Sequence, residues 1–171
     1  MTQWGDGSGT GTGGTIHVLS QARPIQAGLM WMGMWGSGGP ATSNRREAYT
    51  VVEGLEVALE SMGPSALQGR YIFVFTDNDT TYNIVSSGTS SEPALLSILR
   101  RLKSLQARWK FILEVIHVPG DVMILQGTDG LSRGLWIQGH YADTMEDLFR
   151  ELLAPAQPLP ALLNEVLRRR S

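Results

Sequence analysis

The sequence predicts a mixed α/β domain, with a five-stranded sheet, antiparallel at its start and parallel later, flanked by helices. Three observations carry that prediction. Two β-type apolar runs, Thr15–Leu19 and Leu29–Trp35, lie close together before any helical pattern begins. The stretch 44–62 then repeats apolar residues at the helical period. Finally, Tyr71–Phe75 is short and continuously apolar between polar neighbours, the signature of a strand buried on both faces.

Each element follows from local chemistry. Residues 5–14 are rich in Gly, Ser and Thr, and Asp6 sits among them on a first strand that reads as clipped, as in a piece cut from a longer polypeptide. A turn around Arg23-Pro24 joins the next two strands, and Gly36–Pro40 ends the third. In 44–62, Asn44 with Glu47 three residues on fits a capping box. Ala48, Val51, Val52, Leu55, Ala58, Leu59 and Met62 form the apolar stripe of this helix. Glu53, Glu56 and Glu60 fall on its far side, toward solvent, whereas Glu47 falls at the edge of the stripe and can reach the sheet. Gly63-Pro64 stops the helix, Asp79–Val85 reads as a short helix after the central strand, and Ser91 caps another that carries Pro93 in its first turn. Phe111–Val118 is the last strand, stopped by Pro119-Gly120, and Asp121–Thr128 reads as a loop. Two units result: a domain over 1–134 and a Pro-containing helical extension over 135–171.

Composition narrows the function. No run approaches the roughly 20 apolar residues of a membrane span, and the absence of cysteine excludes disulfides and thiolate metal sites. An intracellular setting, cytoplasmic or nuclear, is the expectation. The net charge of −2 argues against bulk electrostatic binding of nucleic acid, yet leaves room for an enzyme that grips a short backbone stretch through metal ions.

Four acids resist a packing explanation: Asp6 in a Gly-rich segment, Glu47 at the helix edge, Asp77 just after the central strand, and Asp129 near the end of the domain. Asp77 falls at the carboxyl end of a strand, where open α/β sheets place ligands. Brought together, four carboxylates repel one another. Hard divalent cations relieve that repulsion, and two ions about 3.5–4 Å apart promote in-line phosphoryl displacement. Taken singly, Asp6 also reads as a turn acid, Glu47 as a capping acid and Asp129 as a helix cap.

The segments Asp6-Gly7-Ser8, Arg46-Glu47, Phe75-Thr76-Asp77-Asn78 and Asp129-Gly130-Leu131-Ser132-Arg133, with His117-Val118-Pro119-Gly120 between the last two, resemble the ribonuclease H domain of retroelement reverse transcriptases over residues 4–134. The resemblance is to the DIRS-like and Ty3/gypsy-like versions. It implies a ribonuclease H-like fold, and an endonuclease that hydrolyses the RNA strand of RNA–DNA hybrids beside an adjoining polymerase domain. It also implies two Mg²⁺ (or Mn²⁺) ions. Asp6 would bridge both, Asp77 and Asp129 would complete the nucleophile side, and Glu47 would serve the leaving-group side. Ser8, Asn44, Arg46 and Asn78 are the candidates for contact with nucleic acid. Many cellular members carry a histidine shortly before the last Asp; here His117 stands earlier, before Pro119-Gly120. Two other readings share the fold: a catalytically silent scaffold module of a reverse transcriptase polyprotein, and a DDE-type transposase or integrase core.

Overall fold

A computed structural model describes residues 1–18, 27–35, 39–40, 42–126 and 128–133. Its strands are β1 (Thr2–Gly7), β2 (Gly11–Val18), β3 (Ala27–Met34), β4 (Tyr71–Thr76) and β5 (Ile112–His117). The helices are α1 (Ser43–Met62), α2 (Asp79–Ser87), α3 (Pro93–Trp109), α4 (Gly120–Gln126) and α5 (Thr128–Ser132), with a 3-10 turn at Pro64–Ala66. The turn expected at Arg23-Pro24, most of the Gly36–Pro40 break and the 135–171 extension lie outside the described residues. No described helix is long and apolar enough to cross a membrane.

All five strands form one sheet in the order β3-β2-β1-β4-β5. β1, β2 and β3 make the antiparallel meander, while β1–β4 and β4–β5 pair in parallel. This is the mixed five-stranded arrangement that the sequence predicts. It forms because β4 is apolar at every interior position and can be covered on both faces, as all but its first residue are. Alternation along β4 sends Ile72 and Val74 into a core with Val51, Leu55, Leu99 and Leu102 of α1 and α3. Phe75 points the other way and stacks on Trp4, with ring centroids 4.1 Å apart and planes 6° apart. Met123 of α4 and Leu131 of α5 are also buried.

Helix α1 is held to the sheet by a polar seam. The buried Gln3 amide donates to the Thr50 and Val51 carbonyls at 3.4 and 3.1 Å. The Thr12 and Thr50 hydroxyls meet at 2.8 Å, and Thr50 also donates to the Arg46 carbonyl. Close approach is essential here: a Cβ on Gly7 would come within 2.7 Å of the Arg46 backbone.

Several local expectations are corrected. α1 is capped by Thr42, whose hydroxyl accepts from the Arg45 amide, so Asn44 and Glu47 form no capping box. Thr42 wins because its extended backbone suits a cap, whereas Asn44 is already inside the helix. Glu53 does not face open solvent; its carboxyl meets the Thr12 side chain on β2, and burial raises its pKa. α3 is preceded by Glu92, which caps through no side chain, rather than by Ser91. The first strand runs a full six residues and pairs with β2 along its whole length. β2 begins at Gly11, four residues earlier than its apolar pattern suggests. The reason is steric, since a Cβ on Gly13 would sit 2.6 Å from the backbone of Leu131, so this glycine lets α5 lie on the sheet. A short helix, α4, occupies most of the Asp121–Thr128 span that reads as a loop, because it is too short to show a period.

Candidate metal centre

The parallel register places Trp4 opposite Phe75, and continuing it by two residues sets Asp6 level with Asp77 at the carboxyl edge of the sheet. Glu47 arrives from the second turn of α1, brought close by the glycine at position 7. Asp6, Glu47 and Asp77 each present a carboxylate oxygen, and these oxygens all lie within 4.8 Å of one another. Asp129 is outside that triangle. It sits in α5, where the Arg133 guanidinium donates to both its oxygens at 3.1 to 3.3 Å.

The electrostatics follow from crowding. Glu47 is pushed up to about 10 by burial first, then by the repulsion and hydrogen-bonding proximity of Asp6 and the charge of Asp77. A backbone hydrogen bond from Gly7 opposes this without overcoming it. Asp77 is raised, again chiefly by burial, with Asp6 and Asp129 adding repulsion and His117 opposing it. The buried Oε2 of Glu47 has no hydrogen-bond donor in reach. Carboxylates crowded this closely require a proton or a cation between them. Three oxygen donors with one oxygen left unpartnered fit a hard divalent ion such as Mg²⁺ or Mn²⁺.

The surrounding residues hold this geometry. Asp6 and the Asp129 carbonyl, the latter at 2.8 Å, share the single proton of the Ser132 hydroxyl. The Ser8 hydroxyl donates to the Ser132 carbonyl at 2.6 Å and accepts from the Thr10 and Gly11 amides, so Ser8 is buried in the β1–β2 turn. Asn78 caps α2 through the Thr81 amide and donates to Asn44 at 3.1 Å, tying α1 to the end of β4. Arg46 is turned toward the Pro40 carbonyl, at 3.0 Å from its Nε. His117 lies beside Asp77, with Nε2 3.1 Å from the Asp77 carbonyl and 3.0 Å from Asp79 Oδ1.

Thus three of the four expected acids converge on one point, the fourth stands beside them in an ion pair, and Asn44 and Asn78 meet at the rim. Sequence reasoning gave no role to Ser132 or Gln3. Ser132 had a usable signal: it follows Asp129 by three residues, a spacing that puts both on one helical face. Gln3 had none, since a lone amide in a strand does not announce a partner on a helix.

No protein family model matches the chain, and no curated protein is similar to it in sequence. Solved structures are similar in shape. The ribonuclease H1 of the halophilic archaeon Halobacterium salinarum superposes with a TM-score of 0.54 at 18% identity, covering 85% of this chain and 96% of that one. The LC11 ribonuclease H1, in complex with an RNA/DNA hybrid, gives a TM-score of 0.59 at 16% identity, covering 78% and 94%. The N-terminal ribonuclease H domain of a Mycobacterium tuberculosis protein gives 0.54 at 17% identity, covering 80% and 100%. The chain therefore has a ribonuclease H-like fold.

Proposed function

We propose that this chain is a metal-dependent endonuclease that hydrolyses the RNA strand of RNA–DNA hybrids, in the setting of a reverse-transcribing retroelement. The observation that carries the reading is the meeting of Asp6, Glu47 and Asp77 from three separate elements, with a buried Glu47 oxygen left unpartnered. Such a cluster costs stability without a ligand, so its presence at the ligand-binding edge of the sheet argues for a cation. Divalent ions bound there would polarise a phosphodiester and activate water for in-line attack.

The chain's own residues would hold those ions and orient the substrate. Asp6, Glu47 and Asp77 form the primary set, with Asp129 next to Asp77 as the fourth donor. Ser132 fixes the rotation of the Asp6 carboxylate by donating to one of its oxygens. Asn44, Asn78 and Arg46 would be the contacts to the nucleic-acid backbone, with the Asn44–Asn78 bridge supporting that role for the two amides. That an LC11 ribonuclease H1 of similar fold is seen with an RNA/DNA hybrid supports a hybrid as substrate. The retroelement setting rests on the Thr76-Asp77-Asn78 and Asp129–Arg133 motifs, and an adjoining polymerase domain would be the natural partner.

The test is incubation with an end-labelled RNA–DNA hybrid in Mg²⁺ or Mn²⁺, alongside Asp77→Asn. Metal-dependent cutting of the RNA strand by the parent, lost by at least a hundredfold in the variant, is the expected outcome. An inert parent that still binds the hybrid would favour the silent-scaffold reading.

A further inference from the structure

We propose that Arg133 is an internal counter-cation that competes with a second divalent ion for Asp129, so that the site loads its ions one at a time. The inference rests on the metal-dependent reading above and concerns how that site is filled.

Among the described residues, Asp6, Glu47 and Asp77 close into a triangle that Asp129 does not join. Both oxygens of Asp129 are instead taken by the fork of Arg133, through Nε at 3.2 and 3.3 Å and Nη2 at 3.1 Å. The pair lies at the edge of the cluster rather than away from it: Asp129 repels Asp77, and Arg133 is drawn by Asp6 as well as by Asp129. A guanidinium does not lose its charge, so Arg133 competes with any incoming cation for the Asp129 carboxylate at every ordinary pH.

The backbone next to the pair is tied at Ser132. Ser132 is clasped from both ends, its hydroxyl on Asp6 and its carbonyl on Ser8. Arg133, with 57% of its side chain exposed, has room to swing into solvent, whereas Asp129, at 22%, stays beside the cluster. Among the described residues, no Lys or Arg is paired with Asp6, Glu47 or Asp77, so a first ion would meet no such competitor there, whereas a second would compete with Arg133 for Asp129.

Calorimetric titration of the whole chain with Mn²⁺, in the absence of nucleic acid, tests this. The parent should bind one ion tightly and a second more weakly. Arg133→Gln should strengthen the second step about fivefold, the worth of a well-formed exposed ion pair, and leave the first within twofold. Arg133→Lys, which keeps the charge but loses the fork, should fall between. Asp129→Asn should abolish the second step with either residue at 133. Arg100→Gln, on the exposed face of α3, removes the same charge elsewhere and should change nothing. The inference is overturned if Arg133→Gln leaves the second step unaltered, or if Arg100→Gln reproduces its effect; a parent that still cuts hybrid in metal would then keep the proposed function intact. A parent that binds no Mn²⁺ and cuts no hybrid removes both.

Discussion

Replacing Glu47 by Gln should make the metal-free protein more stable while removing its response to metal. Glu47 is an acid whose pKa rises from 4.5 to about 10 on folding, so the folded chain keeps a proton that the unfolded chain releases. The sign follows directly: stability is greatest below pH 4.5 and declines as pH rises toward 10. At pH 7 the penalty is set by the distance from 4.5 to 7, which converts to about 3 kcal/mol as an upper figure. Water reaching the rim of the site lowers it, and we expect 1–3 kcal/mol, or roughly 2–12 °C in melting temperature for a chain of this size. Glutamine copies the protonated acid, including a donor toward Asp6, and carries no such penalty. Thermal or urea unfolding in EDTA at pH 4, 6 and 8 measures it. The variant should match the parent at pH 4 and exceed it increasingly at pH 6 and 8. Added Mg²⁺ or Mn²⁺ should then raise the parent more than the variant, because only a ligand held by the native site shifts the equilibrium. Equal stability at pH 8 without metal, or an advantage already present at pH 4, would refute the reasoning.

Other substitutions probe the supports. Gly7→Ala puts a methyl group within 2.7 Å of the Arg46 backbone, so α1 must shift away from β1; a loss of about 1–3 kcal/mol in urea unfolding is expected, together with weaker calorimetric metal binding. Thr42→Ala should cost about 1 kcal/mol of stability by removing the helix cap, with metal affinity unchanged, whereas a change in affinity would mean that the cap also positions Glu47. Ser132→Ala frees one oxygen of Asp6, and metal affinity should fall about 10-fold or more while the fold persists; an unaltered affinity by calorimetry would show that Asp6 needs no such guide.

The fold was largely legible because its strongest signals were long or continuous. The α1 stripe from Ala48 to Met62 and the apolar run of β4 each exceed what a loop can carry, and their order left little choice of topology. The acids were legible through position, since Glu47 differed in helical phase from Glu56 and Glu60 and Asp77 followed a buried strand. What escaped was set by tertiary contact. Gly11–Gly14 reads as flexible chain, but Gly13 lies in a strand, small because α5 rests on it. Glu53 shares the helical face that pattern assigns to solvent, yet the β2 wing of the sheet reaches under it. The Arg133 grip on Asp129 is visible as an i, i+4 spacing, but spacing alone does not say that the pair borders three other acids.

The clasp between Ser132 and Asp6 spans 126 residues of chain, and that span sets when the acid cluster can be completed. The β1–β2 hairpin forms from neighbours in sequence, whereas the α5 contact needs nearly the whole domain to be made first, and contacts of such long separation form late in folding. During synthesis the first carboxylate therefore waits without its guide until α5 has emerged. In the finished molecule the same joint is a natural first point of opening, since α5 is only five residues long, with Thr128, Gly130, Leu131 and Ser132 as its buried residues. Loss of that short element would disarm the site well before the sheet itself gave way.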